Sequence, residues 1–179
     1  MISYWWGDRP FTKEVCEEVI GLYAKPVRAK TEGNTLSAIR DSEVMGIPFG
    51  HPLWGKFKSL LDPYVDQANN HIFGFDINLN CVEFQIAKYD TNCHYDWHMD
   101  LFQTKEMYAR KLSVTVQLSE LDDYEGGELV FSNTPTPPKE LSEQGSMIIF
   151  PSFLSHSVTG VTKGTRYSLV AWYGGPLWK

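Results

Sequence analysis

The sequence has too few cysteines, too little positive charge and no apolar run long enough to support several broad classes of protein. Three cysteines, Cys16, Cys81 and Cys93, are odd in number and widely spaced. That excludes a disulfide framework and a paired-cysteine zinc site, and it points to a reducing compartment. No stretch approaches the roughly 20 apolar residues of a membrane span. The opening residues MISYWWGDRPF lack a basic segment followed by an apolar one, so a secretory signal is not expected and a cytoplasmic location is. Lysine and arginine number 16 against 22 aspartates and glutamates, a net charge of −6. A general nucleic-acid binder would carry the opposite balance. Repeats, low-complexity tracts and dividing linkers are also missing.

What is present suits one folded domain over 1–179, with 42% hydrophobic and 14% aromatic residues. Helical periodicity is confined to a supporting region at about 10–72. Thr12 is a candidate N-cap, with Phe11 placed to staple onto Cys16. Val15, Val19 and Tyr23 then recur every four residues. Leu53, Phe57, Leu61, Val65 and Ala68 form a second stripe. Pro63 lies inside it, so this is one kinked helix or two, with Asp62 capping the second. From about 76 to 175 the texture is that of strands: INLNCVEFQIAKY at 77–89, LSVTVQL at 112–118, ELVF at 128–131, SMIIF at 146–150 and RYSLVAWY at 166–173. Glycine and proline clusters separate them. Helices first and short strands afterwards predict a mostly β fold, a sandwich or barrel supported by N-terminal helices.

The densest group of metal-capable side chains is HYDWHMD at 94–100. It contains two overlapping His-x-Asp pairs, His94/Asp96 and His98/Asp100. Residues i and i+2 of a strand share a face about 6.6 Å apart, so such a pair converges on an ion only where the strand bends or ends. All four residues have the same parity, and strand geometry alone does not choose between the pairs. A second histidine would complete a two-histidine, one-carboxylate face that leaves open metal positions. His156, after the SMIIFP strand, is the best placed.

A wider pattern selects the register. Tyr89, Asn92, Tyr95, His98 and Asp100 resemble the Tyr-x2-Gly-x2-Tyr-x2-His-x-Asp pattern of prolyl 4-hydroxylase-like Fe(II)/2-oxoglutarate-dependent dioxygenases. The one departure is Asn92 for glycine, and asparagine also tolerates left-handed backbone. RKLSVTVQLSELDDYEGGELVF at 110–131 is similar to the family's central strands and Gly-Gly-Glu-Leu turn. GSMIIFPSFLSHSVTGVTKGTRYSLVAWY at 145–173 resembles its second-histidine region, with Arg166 ten residues after His156. The resemblance runs through about 77–174. It implies a double-stranded β-helix, or jelly roll, with iron held by His98, Asp100 and His156. It also implies oxidation of 2-oxoglutarate to succinate and CO2 coupled to C–H hydroxylation by O2, with ascorbate as an accessory reductant.

Within that resemblance Arg166 is expected to bind the far carboxylate of 2-oxoglutarate, since a guanidinium fork matches a carboxylate. Tyr89 resembles the family tyrosine that reaches the same cosubstrate. Strand parity puts Arg166, Ser168, Val170 and Trp172 on one face, and Ser113, Thr115 and Gln117 on another. Thr115 and Gln117 are therefore candidates for the cosubstrate pocket, and Trp172, Tyr95, Gln85 and Leu129 for the substrate pocket. The segment 101–110, LFQTKEMYAR, mixes apolar and charged residues and is a candidate lid.

The expected substrate is a prolyl residue in a peptide or protein, with a free amino acid or other small molecule as the alternative. A nucleic-acid demethylase would carry a second arginine where Trp172 stands. A halogenase would lack Asp100. A jelly-roll binding module would not need the three ligands and Arg166 together, and a zinc hydrolase gives Arg166 no role.

Overall fold

The computed structural model describes residues 4–7, 9–23, 27–28, 39–102, 108–132 and 134–178. Two helices lie on the N-terminal side, α1 (Lys13–Gly21) and α2 (Pro52–Ala68). Thr12 caps α1, accepting from the Val15 amide at 3.4 Å, and Phe11 and Cys16 are both buried in the core. The stripe Leu53, Phe57, Leu61, Val65 and Ala68 is the buried face of α2. Each of its larger side chains, Leu53, Phe57, Leu61 and Val65, contributes roughly 1.5–3 kcal/mol by leaving water.

Pro63 does not divide α2. It sits on the exposed side, as does Ser59 one turn earlier, so the carbonyl that loses its amide partner can turn to water. Asp62 is no cap. It pairs with Lys58 at 2.7 Å and accepts from the Tyr173 hydroxyl at 2.8 Å, tying the helix to the sheet.

The expectation that strands begin only near residue 76 is corrected. Four short strands precede it: β1 (Trp5–Trp6), β2 (Val27–Arg28), β3 (Arg40–Asp41) and β4 (Glu43–Ile47). They are too short to show a period, and they are strands because partners distant in the chain supply the hydrogen bonds. The later strands are β5 (Asn78–Asp90), β6 (His94–His98), β7 (Tyr108–Gln117), β8 (Tyr124–Gly126), β9 (Leu129–Phe131), β10 (Met147–Pro151), β11 (His156–Val158) and β12 (Val161–Pro176).

The major sheet runs β1-β10-β7-β12-β5-β4-β2, with β8 on the first part of β12. The minor sheet runs β3-β6-β11-β9. Every pairing is antiparallel, the mostly β jelly-roll arrangement that the sequence predicts.

Alternation divides the major sheet cleanly. Phe84 and Ile86, Val114 and Val116, and Leu169 and Ala171 pack under the helices. Their neighbours in register, Trp172 opposite Ser113, Val170 opposite Thr115 and Arg166 opposite Tyr89, point the other way, towards the minor sheet. The interior between the two sheets is therefore lined with polar groups on one side, and the functional residues collect there.

Candidate metal and cosubstrate centre

Asn92 makes the turn from β5 into β6. It is the one non-glycine residue with positive φ among the described residues, at 73°, and its amide donates to the Val161 carbonyl at 2.7 Å. β6 then pairs with β11. His98 faces His156, but Tyr95 faces Val158, so two residues of β6, Asp96 and Trp97, oppose one of β11, Ser157. This bulge breaks the parity that made the two His-x-Asp pairs equivalent. Tyr95 and His98 now lie on one side, their rings stacked at 3.4 Å, while Asp96 and Trp97 are exposed.

His98, Asp100 and His156 are the one group of three or more metal-capable side chains among the described residues, with ligand atoms within 4.8 Å of one another. The Nε2 atoms of His98 and His156 are each 3.6 Å from an Asp100 oxygen. His94 and Asp96 stand outside the group.

The surroundings prepare these atoms for an ion. His98 Nδ1 donates to the Asp96 carbonyl at 2.7 Å, and His156 Nδ1 to the Leu154 carbonyl at 2.8 Å. A carbonyl can only accept, so each Nδ1 carries a proton and Nε2 is the atom each ring turns toward Asp100. Burial, with the His156 ring adding to it, pushes the His98 imidazole down to about 4, which keeps it neutral. For Asp100 burial works against ionisation, but His156, His98 and the Ser113 hydroxyl outweigh it and hold the carboxyl below its ordinary range. Ser113 Oγ donates to Asp100 at 2.7 Å and is 3.0 Å from Ser152 Oγ, and the Asp100 amide donates to the Ser152 carbonyl at 2.9 Å. Two imidazole nitrogens and one oriented carboxylate on one face fit a divalent iron and leave its other positions open.

These residues open into a cavity of about 560 Å³ that also holds Arg166, Tyr89, Thr115, Trp172, Tyr95, Gln85 and Leu129. Arg166 is 5% exposed. It reaches Ser168 Oγ at 3.5 Å and lies 5.7 Å from the Tyr89 ring centre, and no carboxylate among the described residues pairs with it. A buried guanidinium without an anion is costly, so this surrounding is suited to a ligand that brings one. Gln117 is placed differently. It lines a smaller cavity of about 130 Å³ behind Arg166, shared with Thr115 and Leu129, and commits one amide hydrogen to the Ser119 carbonyl at 3.1 Å. Trp172 adjoins Asp100, but its buried Nε1 has no partner in hydrogen-bonding geometry.

Some lining residues were not singled out by the sequence pattern. Arg40 and Ile39 come from around β3, and Arg110 from the start of β7. Parity puts Arg110 with Leu112 under the helices. A bulge at Lys111, where Tyr173 and Gly174 of β12 face Leu112 and Arg110, brings it round to the cavity. There it stacks 4.0 Å over Trp172 and grips Glu83 through two hydrogen bonds. Ser152, which supports Asp100, has no signal beyond its place after the SMIIFP strand. Of the candidate lid, Leu101 and Phe102 line the cavity and 103–107 lie outside the described residues.

Gly127 packs close against Arg166. At φ 64°, a Cβ there would stand 2.9 Å from Arg166 Cδ and 3.0 Å from Val161 Cγ2. Gly127→Ala is expected to cost about 1–2 kcal/mol through the left-handed backbone and to displace Arg166. Thermal unfolding and 2-oxoglutarate titration should show a lowered midpoint together with weaker binding. A variant that matches the parent in both would mean that the turn does not seat Arg166.

A family model described as the 2OG-Fe(II) oxygenase superfamily matches residues 84–174, just over half of the chain. A PKHD-type hydroxylase of Alteromonas mediterranea is 36% identical over 90 residues, 48% of this chain and 40% of that protein. A PKHD-type hydroxylase of Acinetobacter baumannii is 28% identical over 153 residues, 82% of this chain and 66% of the relative. The chain thus spans less than two thirds of the length of these curated relatives.

In structure it resembles a Pseudomonas putida prolyl-4-hydroxylase, with a TM-score of 0.74, 16% identity, and 98% and 94% of the two chains covered. It also resembles a prolyl hydroxylase from Trichoplax adhaerens, in complex with a hypoxia inducible factor peptide fragment. There the TM-score is 0.74 at 18% identity, with 96% and 83% covered. These likenesses bear on the fold. The family match covers all three candidate metal ligands and Arg166, and the chain belongs to the 2OG-Fe(II) oxygenase superfamily.

Proposed function

We propose that the protein is an Fe(II)- and 2-oxoglutarate-dependent hydroxylase acting in the cytoplasm on a prolyl residue of a peptide or protein, with ascorbate keeping the iron reduced. The observation that carries this reading is the pairing, in one cavity, of an open two-histidine, one-carboxylate face with a buried arginine that lacks a carboxylate. Bound Fe(II) supplies oxidative chemistry in which 2-oxoglutarate and O2 give CO2 and succinate, one oxygen atom entering succinate and the other a substrate C–H bond.

The chain's own residues hold and orient. His98 and His156 present Nε2 and Asp100 an ionised oxygen, and Ser113 and Ser152 keep that carboxylate aimed. Arg166 and Tyr89 receive the far carboxylate of 2-oxoglutarate, with Thr115 and Gln117 beside it. Trp172, Tyr95, Gln85 and Leu129 form the substrate side, and the apolar ones among them keep water from the reacting C–H bond.

The prolyl assignment draws on the PKHD-type hydroxylases and prolyl hydroxylases that the chain resembles. The test is to incubate the iron-loaded protein with 2-oxoglutarate and a panel of prolyl peptides. The expected product is a peptide heavier by one oxygen atom, formed in step with succinate. Oxidation confined to non-prolyl compounds in a parallel small-molecule panel would overturn the prolyl assignment.

A further inference from the structure

Among the described residues, the charges around the large cavity do not balance. Its charged lining groups are Arg40, Asp100, Arg110 and Arg166. Arg110 is paired with Glu83, bidentate, at 3.2 and 2.8 Å. In the assembled site, Asp100 and the two carboxylates of 2-oxoglutarate are offset by a divalent ion and Arg166. The Arg40 charge is left over. Arg40 has no carboxylate within ion-pairing distance among the described residues. Its neighbours are neutral: Nε donates to Ser42 Oγ at 2.9 Å, one terminal nitrogen donates to Gln85 Oε1 at 3.3 Å, and the guanidinium lies 4.4 Å over the Tyr95 ring. Tyr95 in turn stacks on His98 at 3.4 Å. Arg40 is thus one aromatic ring away from a metal ligand, on the wall of the same cavity, with its plane fixed from below and one edge held by Ser42 and Gln85.

We propose that Arg40 is a specificity-determining residue that binds a carboxylate of the substrate, so that the hydroxylated residue carries a free carboxylate or adjoins one. The inference rests on the hydroxylase reading above. A stacked guanidinium with its edge prepositioned loses little freedom on taking a planar anion, and a carboxylate can use two of its remaining donors at once. Tyr95 supplies the platform, and its contact with His98 sets the reach, because a carboxylate on Arg40 brings the carbons next to it over the metal face. Two sources share this chemistry: the α-carboxylate of an amino acid or chain terminus, and an acidic side chain next to the target in a peptide.

The experiment is an anaerobic calorimetric titration of the Fe(II)- and 2-oxoglutarate-loaded protein. The probes are two matched pairs, N-acetyl-L-proline against its primary amide, and acetyl-Asp-Pro-amide against acetyl-Asn-Pro-amide. In at least one pair the carboxylate member should bind roughly ten- to a hundred-fold more tightly, as expected for hydrogen bonds to a charged group. The pair that shows the preference identifies the source. Arg40→Gln should abolish the preference, Arg40→Lys restore part of it, and Arg40→Glu reverse it, with thermal unfolding confirming that each variant is folded. Equal binding within both pairs, no binding by any of the four, or a preference that survives Arg40→Gln would each overturn the proposal. Failure of the hydroxylase reading would show separately, as a parent protein that does not bind 2-oxoglutarate when loaded with Fe(II).

Discussion

Arg166→Ala is expected to weaken 2-oxoglutarate binding by roughly two to four decades, because removing one partner of a buried ion pair costs about 3–5 kcal/mol. Arg166 is 5% exposed and lies opposite Tyr89 in the sheet register, with Gly127 packed against its stem. A carboxylate brought there exchanges water for the guanidinium, and without the arginine it would be desolvated with nothing in return. Arg166→Lys keeps the charge and loses the planar fork, so it should retain part of the affinity. Neither change touches a metal ligand, and iron affinity should stay near that of the parent. The check is 2-oxoglutarate titration of the iron-loaded parent and both variants. Parent-like binding by Arg166→Ala would place the cosubstrate carboxylate elsewhere.

Loss of any of His98, Asp100 or His156 is expected to have a comparable effect on iron. Replacing a group that only supports a metal ligand typically costs about ten- to a hundred-fold in metal affinity, and Ser113→Ala should fall in that range, since its hydroxyl orients Asp100. Replacing a ligand itself removes a donor atom, so His98→Ala, Asp100→Ala and His156→Ala should each lose more than Ser113→Ala. His94→Ala should bind iron as the parent does, because the bulge in β6 sets it apart from the three. Anaerobic Fe(II) titration separates these outcomes. Binding lost in His94→Ala and kept in His98→Ala would mean that the other His-x-Asp pair is the ligand pair.

The legible parts of the sequence are those where one local period runs unbroken. The α2 stripe from Leu53 to Ala68 and the alternation in LSVTVQL and RYSLVAW place their side chains as the periods predict. Thr12 and Asn92 signal their own backbone geometry. What local patterns could not show is the register of distant strands. β3 and β4 have too few residues for a period, and Arg40 reaches the cavity only because Tyr95 is its partner in the sheet. The bulges at Asp96–Trp97 and at Lys111 shift the register in the middle of a pairing. They reverse the faces of neighbouring residues, bringing Tyr95 beside His98 and Arg110 into the cavity. Each depends on the opposing strand, tens of residues away. The choice of His98 and Asp100 over His94 and Asp96 therefore came from the wider motif, and the bulge supplies its physical reason.

The most direct measurement of the central claim follows oxygen itself. The iron-loaded protein should be given 2-oxoglutarate under isotopically heavy O2, and the succinate analysed by mass. The expected result is succinate carrying one heavy oxygen atom, formed by the parent protein and absent with His156→Ala. Absence of succinate from the loaded parent, succinate without the label, or equal labelling by His156→Ala would contradict the assignment of His98, Asp100 and His156 as the iron centre of a 2-oxoglutarate-dependent oxygenase.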